Sequence, residues 1–259
     1  MINSINEFEQ IFDEVYPHQI NLKSFEKKDI LCPSIWQNAD LKKIIRQHLK
    51  NIAMDFIEDF EMNLIPYDIV LVGSIAGYNW SKYSDIDLHI ILDFSRYEEQ
   101  GSKETLKKLF DAYKNAWNLK HNISIYGYPV EIYIQDKEEV NASDGIYSIM
   151  EGKWIKVPQG GNAVMNKELI KKQASQYINH IDHLEELAKS CTSKKLALAI
   201  KNKAKKYKDE ISQGRKDSLS SGQGEYGSGN IVFKVLRRSG HIRKLNDIKI
   251  MMNDKINSL

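Results

Sequence analysis

"VGSIAGYNWSKYSDIDLHI", residues 72–90, decides how the chain is read. A run of β-branched residues, "YDIVLVG" (67–73), reads as a strand stopped by Gly73. "DIDLHIILDF" (85–94) reads as a second strand, and "SIAGYNWSKYS" (74–84) as a turn with a short helix. Side chains alternate along a strand, so Asp85 and Asp87 share one face while Ile86 and Leu88 point into the core. Two carboxylates so placed repel each other. A divalent cation between them offsets that repulsion, and magnesium takes hard oxygen ligands, commonly one or two carboxylates together with substrate phosphates. A solitary Asp-x-Asp more often marks the surface start of a strand. Here it follows a strand that ends in Gly73-Ser74. Glycine lets backbone approach a ligand, backbone N–H groups in such turns bind phosphate, and Ser74 adds a hydroxyl donor.

Outward from this stretch, "DLKKIIRQHLKNIAMDFIEDFEMN" (40–63) has Leu41, Ile44, Ile45, Leu49, Ile52 and Phe56 at helical spacing. "KETLKKLFDAYKNAWNLKH" (103–121) is a second helix. "ISIYGYPVEIYIQD" (123–136) is strand-like, interrupted at Gly127 and Pro129, and "DGIYSIMEGKWIKVP" (144–158) reads as a hairpin turning near Glu151-Gly152. Gly160 and Gly161 then mark a boundary. Beyond it, "NKELIKKQASQYINHIDHLEELAKS" (166–190) and "SKKLALAIKNKAKKYKDEIS" (193–212) are helical, and "IVFKVLRRSGHIRKLNDIKIMMNDKI" (231–256) reads as two short helices broken at Gly240. "QGRKDSLSSGQGEYGSGN" (213–230), rich in Gly and Ser, reads as a mobile loop. The fold class is therefore α+β: a mixed β-sheet with flanking helices over residues 1–160, with an N-terminal helical lead-in, followed by a basic helical domain over 161–259.

The 259 residues carry a net charge of only +2, but unevenly. From Asn166 onward 20 Lys and Arg stand against 10 Asp and Glu, so the front of the chain is net acidic. Acidic side chains in one part suit metal, and cations in the other suit phosphate or nucleic acid, although long surface helices also carry many lysines. Cys32 and Cys191 form no CxxC pair, which argues against a disulfide framework and a zinc site. "MINSINEFEQIFDEVYPHQ" (1–19) lacks the apolar core of a signal peptide, and no apolar run reaches the length of a membrane span, so a soluble, cytoplasmic protein is expected.

The motif pair Val72-Gly73-Ser74 and Asp85-Ile86-Asp87-Leu88 resembles the nucleotidyltransferase superfamily that includes DNA polymerase β. That family has a third carboxylate on a later strand. "YPVEIYIQD" (128–136) offers Glu131, flanked by Val130 and Ile132, with Asp136 at the end of the run as the second candidate; family members often use Asp here. The resemblance implies a nucleotidyltransferase-type sheet and the two-metal scheme with magnesium or manganese. One ion activates an attacking hydroxyl and the other holds the triphosphate and stabilises leaving pyrophosphate. Asp85, Asp87 and Glu131 would ligate the metals and carry catalysis, and Gly73 and Ser74 would hold the β- and γ-phosphates. "LCPSIW" (31–36), the core stretch, "GIYSIMEGKWIKVP" (145–158) and "GNIVFKVLRRSGHIRKL" (229–245) together look like the nucleotidyltransferases of large tailed bacteriophages, which implies the host cytoplasm as location.

The implied reaction moves a nucleoside monophosphate from a nucleoside triphosphate, ATP among them, to a hydroxyl. The basic back half favours an RNA end as acceptor. Transfer to a protein or small molecule, and a non-catalytic nucleotide- or nucleic-acid-binding protein that kept the fold, are the rivals. In "NIVFKVLRRSGHIRK" (230–244), Ile231, Val232 and Leu236 form a packed side, leaving Lys234, Arg237 and Arg238 near one another. Lys234 and Arg237 are candidate phosphate ligands, against the alternative of a solvated basic face. His89 shares the aspartate face and could contact substrate or a metal-ligating carboxylate, but reads first as a packing or supporting residue. His180 and His183 sit at helical spacing but lack a third ligand, and read as a solvated face. Tyr78, Trp80 and Tyr83 suit base stacking and loop packing equally.

Overall fold

The computed structural model describes residues 18–160, 164–221 and 224–258. Most of the N-terminal stretch read against a signal peptide, as well as Gly161 of the expected boundary, lies outside the described residues. The chain divides into two compact units, one within Ser24–Asn162 and the other within Ala163–Leu259 together with residues 18–23.

The first unit is built on a six-stranded mixed sheet beside a small two-stranded one, β1 (Trp36–Gln37) with β2 (Asp40–Leu41). The large sheet contains β3 (Pro66–Val72), β4 (Ile86–Leu92), β5 (Ser124–Ile125), β6 (Tyr128–Asp136), β7 (Ile146–Ser148) and β8 (Lys153–Lys156), in the order β5-β6-β4-β3-β7-β8. β4 runs antiparallel to β3 and parallel to β6. β5 and β6 form a tight hairpin whose two turn residues, Tyr126 and Gly127, both take positive φ (50° and 80°), as such a turn requires. The expected hairpin at Glu151-Gly152 is β7–β8.

Along β4, Ile86, Leu88, Ile90 and Leu92 are buried while Asp87, His89 and Ile91 are partly exposed, the alternation read from the sequence. The buried row joins a core with Leu49, Ala53 and Phe56 of α1 (Lys43–Glu58) and Leu106, Phe110 and Trp117 of α2 (Lys103–Lys120). Aromatic rings pack on one another within this largely aliphatic core: Phe56 meets Trp117 edge-on at 5.4 Å, and Phe94 meets Phe110 at 5.1 Å. Ser102 caps α2 by accepting from Thr105 N. Among the described residues the β5 strand pairs only with the start of β6. Farther along, Asn118 of α2 bonds both the N–H and the C=O of Ile132, satisfying strand edge that β5 leaves bare. Two residues of the expected helical stripe fall elsewhere. Leu41 is in β2, opposite Trp36, because the helix begins only at Lys43, and Ile44, though helical, is exposed beside the buried stripe of Ile45, Leu49, Ala53 and Phe56.

The second unit is helical: α3 (Lys167–Ser190), α4 (Lys194–Ser220), α5 (Ser228–Arg238) and α6 (His241–Ser258). Ile170, Ala174, Ile178, Ile181, Leu184 and Ala188 form the buried stripe of α3, and Ala197, Ile200, Ala204, Tyr207 and Ile211 that of α4. The Gly/Ser-rich stretch expected as a loop is corrected here: through Ser220 it continues α4. Its small residues serve a close helix approach. A β-carbon on Gly229 of α5 would overlap the carbonyl of Gly214, and the buried Ser218 hydroxyl accepts from Gly229 N at 2.9 Å. Helices α5 and α6 break at Gly240 as read, with φ +84° there, but α6 is 18 residues long rather than short. Among the described residues no helix is long and apolar enough to cross a membrane.

Candidate active site

The end of β3 and the start of β4 lie side by side, with Val72 opposite Asp87. On the other flank of β4, the parallel register sets Asp87 beside Glu131, His89 beside Tyr133 and Ile91 beside Gln135. Because alternation is shared across a sheet, Asp87 and Glu131 emerge on one face. Asp85 sits just before β4 on that face. One carboxylate oxygen from each of Asp85, Asp87 and Glu131 can be chosen so that all three lie within 4.8 Å of one another, and all three residues are half-buried. Asp136, the second candidate for the third carboxylate, is five residues farther along β6, about 16 Å at strand rise. It is buried, and Lys103 pairs with it at 3.1 Å.

Gly73 closes the cluster from the β3 side. Its backbone, at φ 75° and ψ −162°, occupies a region open essentially to glycine alone. A β-carbon there would overlap Asp87 Oδ2. The glycine is thus needed twice, once for the turn and once for room beside the carboxylate. Ser74 opens a short 3-10 turn, and its hydroxyl donates to Ser84 Oγ at 2.7 Å. Ser84 Oγ in turn accepts from Ser81 N at 3.0 Å, so the Gly-Ser turn is tied to the residue immediately before Asp85.

Support extends along the same face of β6. The Tyr133 hydroxyl donates to Glu131 Oε2 at 2.8 Å. Burial, and then the hydrogen bond and charge of Glu131, push the Tyr133 phenol up, so it stays a donor. Lys114 Nζ lies 3.9 Å from the centre of that ring. The His89 ring lies 4.9 Å from it, tilted by 38°. Gln135 spends its amide nitrogen on Glu139 O, so its oxygen accepts from His89 Nδ1 at 2.8 Å, fixing the tautomer with the proton on Nδ1. Burial pulls the His89 pKa down, so the ring is held neutral. His89 therefore supports, as read. Ser84, Tyr133 and Lys114 did not emerge from the sequence. Only Tyr133 carried a signal, its place two residues beyond Glu131 in a strand.

The aromatic residues of the spacer separate. Tyr78 and Trp80 pack against the core, and Trp80 Nε1 donates to Ile30 O, whereas Tyr83 is half exposed. In the helical unit, Lys234 pairs with Glu225, and Arg237 is exposed at the last turn of α5. His180 stacks on Tyr207, and His183 lies 3.6 Å from Glu186.

Three hard oxygen donors on one half-buried surface fit magnesium or manganese and offer nothing to soft metals. A family model described as a nucleotidyltransferase domain matches residues 49–155, from within α1 to β8. The match spans Gly73, Ser74, Asp85, Asp87 and Glu131 and supports the nucleotidyltransferase superfamily for this segment. No curated protein and no solved structure matches the chain.

Proposed function

We propose that the protein is a metal-dependent nucleotidyltransferase that moves a nucleoside monophosphate from a nucleoside triphosphate to a hydroxyl acceptor, with release of pyrophosphate. The observation that carries the reading is the convergence of Asp85, Asp87 and Glu131 within a segment matching the nucleotidyltransferase domain. In the reaction an acceptor oxygen forms a bond to the α-phosphorus. The bond from that phosphorus to the bridging oxygen breaks, and pyrophosphate leaves while the acceptor loses its proton.

Asp85, Asp87 and Glu131 would hold divalent metal, magnesium or manganese, which supplies charge neutralisation on the phosphates and a more acidic attacking hydroxyl. Gly73 lets backbone come close to the β- and γ-phosphates, and Ser74 offers its hydroxyl by turning from Ser84. Arg237, exposed, and Lys234, exchanging Glu225 for phosphate, are proposed as further ligands of the triphosphate. The chain's role is then mostly positioning and preorganised charge. The excess of cations after Asn166 favours an RNA 3′ end as acceptor. The four segments that look like tailed-phage enzymes support a phage origin and action in the host cytoplasm.

Incubation with each α-labelled nucleoside triphosphate, magnesium or manganese, and a mixture of cellular RNA and protein tests the reading. Label on RNA supports it in full. Label on protein or a small molecule keeps the reaction and replaces the acceptor. Label on nothing, with every triphosphate and both metals, removes the activity and leaves a binding protein.

A further inference from the structure

Glu131 and Tyr133 project from one face of β6, and the phenol donates to Glu131 Oε2 at 2.8 Å. The phenol is not free to wander. Lys114 Nζ, on a side chain that is 13% exposed, sits over its face at 3.9 Å. The His89 ring bounds it at 4.9 Å, and His89 is itself fixed by Gln135, which Glu139 O and Asn141 Nδ2 hold in turn. One oxygen of Glu131 is thereby engaged before any cation arrives.

A carboxylate meets a cation through one oxygen or through both, and the choice separates ions. Mg2+ demands near-octahedral geometry at short distance, whereas Ca2+ takes more ligands, at longer distance, and accepts a carboxylate through both oxygens. We propose that Tyr133 is a specificity-determining positioning residue: by engaging Glu131 Oε2 it leaves Oε1 as the oxygen presented to a cation, and so favours Mg2+ over Ca2+ at the Asp85–Asp87–Glu131 cluster. The inference rests on the reading of these three carboxylates as a metal site. Groups that orient a metal ligand act through it, and their loss usually weakens metal binding substantially.

Calorimetric titration of the full chain with MgCl2 and with CaCl2, for wild type, Tyr133→Phe and Asp87→Asn, separates the two claims. Tyr133→Phe removes one oxygen and keeps the ring that Lys114 and His89 contact. We expect it to weaken Mg2+ binding about tenfold, with Ca2+ binding unchanged or tighter. If wild type binds neither ion, or Asp87→Asn binds both as well as wild type does, the metal site itself is wrong and the inference falls with it. If wild type binds and Tyr133→Phe moves both ions equally, or neither, only the role of Tyr133 is overturned. Should the phenylalanine variant fold poorly, 3-fluorotyrosine at position 133 keeps the shape and strengthens the donor. Preference for Mg2+ should then rise, and an unchanged ratio would contradict the proposal.

Discussion

The Cα of Gly73 abuts the carboxylate of Asp87 so closely that a β-carbon would overlap Oδ2. The contact joins the two halves of the motif, the glycine ending β3 and the aspartate within β4, which the strand register sets side by side.

Gly73→Ala tests that contact. The backbone at φ 75° and ψ −162° is open essentially to glycine, so strain alone should cost about 1–3 kcal/mol. The clash adds displacement of Asp87. The variant should melt lower than wild type and lose stabilisation by added Mg2+. A variant that melts lower but keeps the full metal-induced shift would show that Asp87 stays in place.

The two candidates for the third carboxylate should behave oppositely. Asp136 is buried, pairs with Lys103, and accepts from Phe94 N at 3.5 Å. Its replacement by Ala leaves the buried Phe94 N–H without its side-chain acceptor and takes one of two carboxylates from Lys103, which keeps Glu138 at 2.6 Å, and should lower unfolding stability by about 1–3 kcal/mol, with nucleotide transfer retained by the folded fraction. Glu131→Gln should leave the unfolding midpoint near wild type and abolish transfer. Urea unfolding and transfer rates on both variants decide between them.

Much of this was legible in the sequence, and the reasons are physical. Period-two alternation exposed Asp85, Asp87 and Glu131 on common faces, and flanking apolar residues marked their strands as core. What alternation could not supply was the neighbour across the sheet. Nothing local says that Lys114 of α2 lies over Tyr133, or that Ser84 ties down Ser74. The Gly/Ser-rich stretch misled for a related reason. Gly214 and Ser218 have poor helix propensity, yet the backbone of Gly229 packs directly against them, and tertiary contact outweighs local preference.

The proposed phosphate ligands give a second binding test. Arg237→Ala should weaken triphosphate binding by about 1.5–3 kcal/mol, the scale of a hydrogen bond to a charged group, and should leave nucleoside binding nearly unchanged. Lys234→Ala should cost less, because Lys234 must first give up Glu225. Calorimetry with both ligands checks this. Equal losses for nucleoside and triphosphate would remove these side chains from the phosphate site.

Acid should weaken the helical unit through His241. Burial holds the His241 imidazole below its ordinary value of 6.5; Asp182 pulls it upward, and Lys244 and His18 push it down. The neutral ring donates from Nε2 to Asp182 at 3.1 Å and accepts at Nδ1 from Ser239 Oγ at 2.7 Å. With the folded pKa depressed, the unfolded chain takes up the proton first. The contribution to stability is thus complete above 6.5 and is lost as pH falls from there through the folded value. His241→Gln should flatten that part of the stability profile. A profile identical to wild type between about pH 8 and pH 5 would assign the acid sensitivity elsewhere.

Three carboxylates are proposed to control transfer of a nucleoside monophosphate through its α-phosphorus. The most direct measurement places the label at the α- or the γ-position of the same nucleoside triphosphate, and follows acceptor and released product with wild type, Asp87→Asn and Glu131→Gln. The α-label should pass to the acceptor and the γ-label should leave as pyrophosphate, both should require a divalent cation, and both variants should lose transfer while remaining folded. Transfer of γ-label, release of inorganic phosphate as the primary product, or full activity in either variant would contradict it.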